Sequence, residues 1–317
     1  MSREICLIVN PSAGGGRAGR AAPAVEQRLR GLGLNVQLQL TQSLQHAKQI
    51  AGEAAAAEQV LVCLSGDGLI GAVADVARHR KGALLGVLPG GRGNDLARVL
   101  DIPDDPLLAC ETIATGISVP LDLGEVFELP HPDASLSPDQ MMHGKAFVGI
   151  ASVGFDSDAN RIANEAPRQL GGLVYVYGAL GALLAWKPAS FSLTLDGQRS
   201  EVTGYSIGAC NSQAYGGGMY VAPQARLDDG LLDVVSLGQI SKLRFVTRIL
   251  PRVFKGTHGE EPTVQMSRGQ QLHIAADRDF HVYADGDPIG RLPVLIRALP
   301  KAVNVLVPQQ TATSWRA

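Results

Sequence analysis

The residues best suited to chemistry lie in three glycine-rich stretches near the start of the chain. The first is Gly14-Gly15-Gly16-Arg17, just after Asn10-Pro11; the second is Ser65-Gly66-Asp67-Gly68; the third runs from Pro89 to Asp95 and contains Arg92. Glycine lets the backbone approach a ligand closely and adopt positive φ. Free backbone N–H groups beside arginine side chains suit an anion, so these stretches indicate a phosphate site.

Asp67 lies between two glycines of the second stretch. A carboxylate repels phosphate, but it can hold the divalent cation that bridges phosphate oxygens. It can equally cap the helix expected to begin near Leu69. The third stretch has a similar alternative, a glycine turn capped by Asn94 or Asp95, yet its Arg92 can hold phosphate at two points. Three such stretches together favour a groove for a polyphosphate.

The first stretch also matches the dinucleotide pattern G-x-G-x-x-G, from Gly14 to Gly19. A dinucleotide fold places an acidic residue at the end of its second strand, where it binds the ribose. Here that strand ends in Leu40-Thr41-Gln42, without a carboxylate. The nicotinamide or flavin alternative is therefore disfavoured.

The elements that must position these stretches alternate along the first third of the chain. Apolar runs predict strands at Ile5–Val9, Val60–Leu64 and Leu84–Leu88, and an apolar–polar alternation predicts a strand at Val36–Leu40. Helical patterns follow them at Ala21–Leu32, Gln45–Ala57, Ile70–His79 and Leu96–Leu100. This alternation predicts a parallel sheet with crossover helices, and ligands bind at the carboxyl ends of such strands. All three glycine stretches are expected at that edge.

After about Val119 the pattern becomes one of short strands separated by turns such as Asp196-Gly197 and Asp285-Gly286. That pattern predicts a mostly antiparallel β domain, with helical exceptions at Asn160–Trp186 and Ser241–Phe254. Residues 129–142 are polar and indicate a loop insertion. The expected domains are residues 1–119 with a returning strand at about 302–310, and residues 120–301.

Composition excludes several classes of protein. The 317 residues are 45% hydrophobic and 18% charged, which predicts folded cores, and a net charge of −2 argues against a general nucleic-acid binder. The four cysteines are scattered without a C-x-x-C pair, which indicates neither a zinc site nor a disulfide framework. The first residues lack a signal-peptide layout, so a cytoplasmic location is expected.

The uncharged segment Leu170–Trp186 has three interpretations. It is just short of the length that spans a bilayer, which favours a buried core helix over a transmembrane span. It could also border an apolar ligand or rest on a membrane surface.

Eight motifs together resemble the diacylglycerol kinase-like lipid kinase family, which also includes sphingosine and ceramide kinases. Their order and spacing match along nearly the whole chain, although no single motif is decisive. The motifs are Asn10–Gly14, Ser65–Gly68, Pro89–Arg98, Gly154–Asp156, Tyr215–Met219, Ala225–Asp233, Lys255–His258 and Asp285–Pro288.

The resemblance implies an α/β nucleotide-binding domain related to NAD kinase and phosphofructokinase, a β-sandwich domain, and an active site in the cleft. The implied activity is Mg²⁺-dependent transfer of the γ-phosphoryl group of ATP to a lipid hydroxyl, with diacylglycerol as the first candidate. The implied partners are a lipid substrate at the membrane surface, met by peripheral association, and a second copy of the chain in a homodimer. Neither nucleic acid nor a transmembrane span is expected.

Site residues follow from matching the motifs position by position. Asp67 would organise the metal, Arg92 would neutralise phosphate charge, and Asp287 would be the catalytic base. The nucleotide would be held by Asn10, Pro11, Ser12, Gly14, Thr41, Ser65, Gly66, Asp67, Gly68, Gly71, Gly90, Gly91, Arg92, Asn94 and Asp95. A structural Mg²⁺ would be held by Asp229 and the carbonyls of Arg226 and Leu231; a β-turn with solvated carboxylates is the alternative. His258 and the glycines after Tyr215 are better explained as structural.

The chain departs from the family pattern in three places. Leu69 and Gly71-Ala72 replace a threonine and an Asn-Glu pair, Arg92 replaces a hydroxyl residue, and Asp287 replaces a glutamate. These departures motivate a second hypothesis, a nucleotide- or lipid-binding homologue without turnover. A soluble-substrate kinase related to NAD kinase is a third option, disfavoured by the lipid-kinase motifs of the second domain.

Overall fold

The structure is a computed structural model that describes residues 3–165 and 174–314. The chain divides into two compact units. The first unit comprises residues 1–122 and 301–317, and the second comprises residues 123–300.

The first unit is built on a parallel sheet. Its first four strands are β1 (Glu4–Val9), β2 (Asn35–Leu40), β3 (Val60–Ser65) and β4 (Leu84–Pro89). They pair in the order β2-β1-β3-β4. The last part of a long strand pairs in parallel with β4 through Asn304 and Val305. Every residue of β3 is buried, as expected for a strand with both faces covered.

Helices connect these strands, which confirms the predicted α/β class. They are α1 (Ala13–Gly31), α2 (Leu44–Ala56), α3 (Asp67–Ala77), α4 (Asp95–Val99) and α5 (Pro106–Thr115). Their boundaries follow local chemistry: the Ser43 side chain caps α2 by accepting from the backbone N–H of His46. Helix α5 was not predicted, although Asp105 caps it and Pro106 occupies its first turn.

The second unit is mostly antiparallel β structure. Its strands are β5 (Ile117–Glu128, which begins in the first unit), β6 (Lys145–Phe147), β7 (Ile150–Gly154), β8 (Ala189–Leu195), β9 (Gln198–Cys210), β10 (Leu232–Gly238), β11 (Val264–Gly269), β12 (Gln271–Ala276), β13 (His281–Ala284), β14 (Asp287–Arg291) and β15 (Val294–Val307, which ends in the first unit). The main path is β14-β13-β7-β9-β8-β12-β15. β10 pairs with β9 and β11, and β6 pairs with β5.

The halves of β9 have different partners, and this shapes the second unit into layers. The first half pairs with β8, whereas the second half pairs with β7 and β10. A core of buried side chains, including Phe147 and Phe191, lies among these strands. The structure confirms the predicted antiparallel β-sandwich class. The sequence pattern at residues 145–152 predicts a single strand, but the segment forms two, because residues 148–149 belong to neither β6 nor β7.

Five helices complete the description. They are α6 (Phe155–Glu165), α7 (Val174–Ala185), α8 (Lys242–Arg244), α9 (Leu250–Val253), which follows a π-helical turn at Phe245–Ile249, and α10 (Gln309–Ser314) in the first unit. The first residues of the uncharged segment, 170–173, lie outside the described residues. No helix within residues 3–165 and 174–314 combines the length and apolar character needed to cross a membrane.

Candidate functional site

The three glycine-rich loops meet at the carboxyl edge of the parallel sheet. They follow β1, β3 and β4, which are neighbours in the sheet. The backbone N–H of Gly90 donates to the carbonyl of Ser65 at 2.8 Å. The Arg17 guanidinium donates to the carbonyl of Gly91 at 2.7 Å. Hydrogen bonds therefore join the third loop to both of the others.

Glycine is required where these loops touch. A Cβ atom on Gly14 would lie 2.4 Å from the carbonyl oxygen of Gly90, and one on Gly91 would lie 2.4 Å from the Cα of Gly66. Gly14, Gly15 and Gly16 also have positive φ angles of 60°, 68° and 86°. This close backbone approach brings peptide groups of three loops to one edge, where successive N–H groups can bind an anion.

Asp67 is the first residue of α3, but its carboxylate caps α4. It accepts hydrogen bonds from the backbone N–H groups of Asp95 at 3.1 Å and Leu96 at 3.0 Å, one on each oxygen. A carboxylate has about four acceptor positions, so lone pairs remain for a cation. Asp67 therefore ties the second loop to the third and retains the chemistry of a metal ligand.

Asn94 and Asp95 give the third loop its shape. Asn94 has a left-handed backbone with φ of 52°. Its side-chain oxygen accepts from the N–H of Gly91 at 2.8 Å, and its amide donates to Asp104 at 3.0 Å. Asp95 is buried and forms an ion pair with Arg98. Both side chains are thus engaged within the protein and position the loop.

Arg92 differs from its neighbours in the third loop. It is partly exposed, and no partner within the described residues forms a hydrogen bond or an ion pair with it. Because the guanidinium presents five N–H donors in a planar fork, it suits two-point binding of phosphate. Arg92 is a cation at the loop edge that remains available to a ligand.

The other predicted nucleotide residues occupy the same edge or the helix behind it. The Asn10 side chain accepts from the N–H of Ser12 at 3.0 Å, which closes the turn that also contains Pro11. Thr41 follows β2, is buried, and donates its N–H to the carbonyl of Val9 at 2.8 Å. Gly68 lies in the first turn of α3, whereas Gly71 is buried one turn further along. Of the predicted nucleotide-binding residues, Gly71 therefore lies away from the loops.

A magnesium ion fits this edge only together with a nucleotide. The described residues contain no group of three or more His, Cys, Asp or Glu side chains that could hold a metal by themselves. Mg²⁺ is commonly bound by one or two carboxylates plus the phosphates of the substrate. Asp67 supplies such a carboxylate, so the donor set fits a Mg²⁺ ion that accompanies bound polyphosphate.

The predicted structural metal at Asp229 fits less well. One oxygen of Asp229 accepts from the backbone N–H of Leu231 at 3.0 Å, and the other forms an ion pair with Arg268. The guanidinium of Arg226 is paired with Asp228. A metal ion there would compete with the guanidinium of Arg268 for the Asp229 carboxylate, and the sequence motifs did not reveal Arg268. Metal binding by Asp229 and the carbonyls of Arg226 and Leu231 therefore stays a prediction, and the observed ion pairs do not favour it.

The Asp-Gly-Asp motif forms a hairpin with two distinct aspartates. Asp285 and Gly286 have φ angles of 52° and 92°, as in a two-residue type I′ turn. The Asp285 carboxylate accepts from the N–H groups of Val148 and Gly149, both at 2.8 Å. Asp287 begins β14 and is exposed, and desolvation raises the pKa of its carboxyl. Asp285 is structural, whereas Asp287 has the raised basicity that suits a proton acceptor.

The second unit also contains an apolar cavity that is open to solvent on one side. Its lining comes mainly from α6, β9, the 215–221 loop, β10 and the 245–253 helical turns, and includes Phe155, Val221, Val235, Leu237, Phe245 and Ile249. No local sequence pattern indicates this cavity, because its walls come from segments that are distant in the chain.

Two titratable side chains interrupt the apolar cavity wall. Burial raises the pKa of Asp156 to about 6, against the opposing effect of hydrogen bonds from Ser206 and Tyr215. Burial lowers the pKa of His258, whose Nε2 donates to the carbonyl of Val221 at 3.0 Å. The predicted structural role of His258 agrees with this hydrogen bond. Asp156 was noticed only as part of a family motif, without a role.

Comparisons with known proteins agree with this architecture. Residues 4–126 match the family model for the diacylglycerol kinase catalytic domain. Residues 149–307 match the YegS C-terminal NAD kinase beta sandwich-like domain. In solved structures, the fold resembles a diacylglycerol kinase from Bacillus anthracis str. Sterne, with a TM-score of 0.71 at 17% identity over 98% of each chain.

Sequence relatives extend over the full described architecture. A diacylglycerol kinase of Mycobacterium tuberculosis is 30% identical over 309 residues, covering 96% of each chain. A probable lipid kinase YegS-like of Pseudomonas aeruginosa PAO1 is 30% identical over 308 residues, covering 96% of this chain and 94% of its own. With both domain models matched in order, the chain belongs to the diacylglycerol kinase-like lipid kinase family.

Proposed function

We propose that this protein transfers the γ-phosphoryl group of ATP to the free hydroxyl of diacylglycerol, giving phosphatidic acid and ADP. The observation that carries the proposal is the packing of three glycine loops at one edge of the parallel sheet. Gly90 and Gly91 touch the first and second loops at backbone distance. An edge that offers backbone N–H groups, Arg92 and the Asp67 carboxylate has the donors that a nucleotide triphosphate needs.

Each polar group at this edge has a separate task. Arg92 neutralises phosphate oxygens, and the first turn of α3 offers N–H groups that no side chain caps. Asp67 would hold the Mg²⁺ that accompanies ATP, an ion that would supply positive charge beside the phosphates when bound. Thr41 and the turn at Asn10 border the nucleotide from the neighbouring strands.

Asp287 is proposed as the base. As the lipid hydroxyl oxygen bonds to the γ-phosphorus, its proton passes to the Asp287 carboxylate and the bond to the leaving ADP oxygen breaks. The raised pKa of Asp287 favours this acceptance of a proton. Aspartate is one methylene shorter than the family glutamate, and a misplacement of about 1 Å can reduce a rate roughly 100-fold.

The apolar cavity of the second unit is proposed to hold an acyl chain of the acceptor. Its wall carries aromatic and aliphatic side chains from α6, β10 and the 245–253 turns. Burial of CH₂ groups in such a cavity stabilises a bound lipid by about 0.8 kcal/mol for each group. Diacylglycerol is preferred over other lipid alcohols because the M. tuberculosis relative, similar along both units, carries that name.

The test is transfer of labelled phosphate from ATP to lipids in mixed micelles. The panel contains diacylglycerol, monoacylglycerol, ceramide and sphingosine at equal chain length. We expect diacylglycerol to give the highest kcat/KM. If another lipid gives the highest kcat/KM, the proposed kinase activity stands and the proposed substrate changes. Intact ATP binding without transfer to any lipid would contradict the proposal.

Variants of Asp287 distinguish an active lipid kinase from a nucleotide- or lipid-binding homologue without turnover. Asp287→Asn is expected to lower kcat at least 100-fold without weakening ATP binding. Asp277→Asn is the matched control, an exposed aspartate of the same unit that is expected to keep full activity. If the parent is inactive and Asp287→Glu creates activity, the homologue without turnover is the correct description.

A further inference from the structure

The turn from Arg226 to Asp233 carries three carboxylates, and the family resemblance implies a structural Mg²⁺ there. In this chain a cation from the protein itself occupies the carboxylates. Arg268 contacts Asp229 in the turn and Asp233 in β10, and the distance from its Nε to the Asp233 carboxylate is 3.2 Å.

The strand register fixes Arg268 in place. β10 and β11 are antiparallel, and Arg268 lies directly opposite Asp233. Opposite charges at directly paired positions of neighbouring strands attract each other across the ladder. From that position the guanidinium also reaches Asp229, which precedes β10. The pairing of β10 with β11, rather than a flexible loop, therefore positions the guanidinium of Arg268 beside the turn.

The carboxylates of the turn are already satisfied. Asp229 receives the N–H of Leu231 at 3.0 Å on one oxygen and Arg268 on the other. Asp233 is 7% exposed, so an unpaired charge there would be costly. Asp228 is paired with Arg226 at 3.1 Å. Two guanidinium groups, those of Arg226 and Arg268, are thus paired with the three carboxylates of the turn.

We propose that Arg268 replaces the structural divalent cation in this protein, and that the Arg226–Asp233 turn folds without a metal. Arginine suits the role because its planar fork can bind two carboxylates at once and stays charged at all accessible pH values.

The test measures thermal unfolding after dialysis against EDTA and after return of millimolar Mg²⁺. The parent protein is expected to show the same Tm in both conditions. Arg268→Gln leaves two carboxylates unpaired, so its Tm is expected to fall by several degrees in EDTA and to recover in part with Mg²⁺ or Ca²⁺. Arg199→Gln is the control, because Arg199 is largely exposed and its ion pair with Glu201 is long, at 3.9 Å.

Each outcome decides the matter. A parent Tm that falls in EDTA and returns with Mg²⁺ would reveal a bound metal and overturn the proposal, as would an Arg268→Gln variant as stable as the parent. Should Arg268→Gln not fold, Arg268→Lys retains the charge and should remain insensitive to EDTA. Since the readout is unfolding rather than transfer, an inactive protein leaves this result interpretable.

Discussion

Asp67 allows the sharpest test of the loop architecture, because its carboxylate joins two loops. Asp67→Ala removes the acceptor of two backbone N–H groups, those of Asp95 at 3.1 Å and Leu96 at 3.0 Å. Loss of an ordinary N-cap costs roughly 0.5–2 kcal/mol. Because this acceptor is ionised and takes two bonds, we expect a loss of about 2–3 kcal/mol.

The assay is thermal unfolding followed by ATP binding and lipid phosphorylation on the same samples. For a unit of about 140 residues, 2–3 kcal/mol corresponds to a fall in Tm of roughly 6–12 °C. Asp105→Ala is the matched control, since Asp105 caps α5 of the same unit through one N–H, at 2.8 Å. It should cost about 1 kcal/mol and keep full activity.

The Asp67→Asn variant distinguishes the structural role of Asp67 in the loops from its proposed role as a Mg²⁺ ligand. The amide retains one acceptor oxygen, so about half of the lost stability should return, while the charge that would hold Mg²⁺ remains absent. Lipid phosphorylation should therefore fall at least 100-fold in a variant that is nearly as stable as the parent. The reasoning is refuted if Asp67→Ala unfolds no earlier than Asp105→Ala, or if Asp67→Asn remains fully active.

Three further predictions follow from individual contacts. Burial raises the pKa of Asp156 from 3.8 to about 6, so the folded state binds its proton more tightly and stability falls as pH rises from about 4 to 6, by at most about 3 kcal/mol; urea unfolding of Asp156→Asn should lack this slope. Gly14→Ala should be less stable than Gly15→Ala in thermal unfolding, because both have positive φ but only Gly14 would meet a carbonyl oxygen at 2.4 Å. Asp285→Ala should lower Tm through loss of two N–H partners, whereas Asp287→Asn should lower transfer activity and leave Tm unchanged.

The parts of the fold that could be predicted are those with strong local patterns. Three of the four parallel strands are short apolar runs and β2 alternates apolar and polar residues, while the helices between them have clear periodicity, so both followed from the sequence. Strand β11 was missed because four of its six residues are exposed and polar or flexible. Strand β14 was missed because Asp287 and Pro288 resemble a continuing turn.

The contacts that define the site depend on tertiary structure, and the sequence could not supply them. Asp67 was expected to cap its own helix or to bind a metal; its hydrogen bonds to α4 arise only when β3 and β4 lie side by side. Arg268 pairs with Asp233 through strand register, at a separation of 35 residues. The contacts of Asp285 also depend on tertiary structure, because its carboxylate accepts from two N–H groups in the segment between β6 and β7.

The structure also bears on the absent Asn-Glu pair. Leu69 and Ala72 are 5% and 8% exposed, and Gly71 is buried with them inside α3. These positions lie in the body of the helix, so polar side chains there would need buried partners. The groups proposed to bind phosphate are instead the first N–H groups of α3 and Arg92, with the Asp67 carboxylate proposed for the accompanying Mg²⁺, and all of them are present in this chain. Since Arg92 contributes a full charge where the family has a hydroxyl, loss of the Asn-Glu pair is compatible with a working nucleotide site.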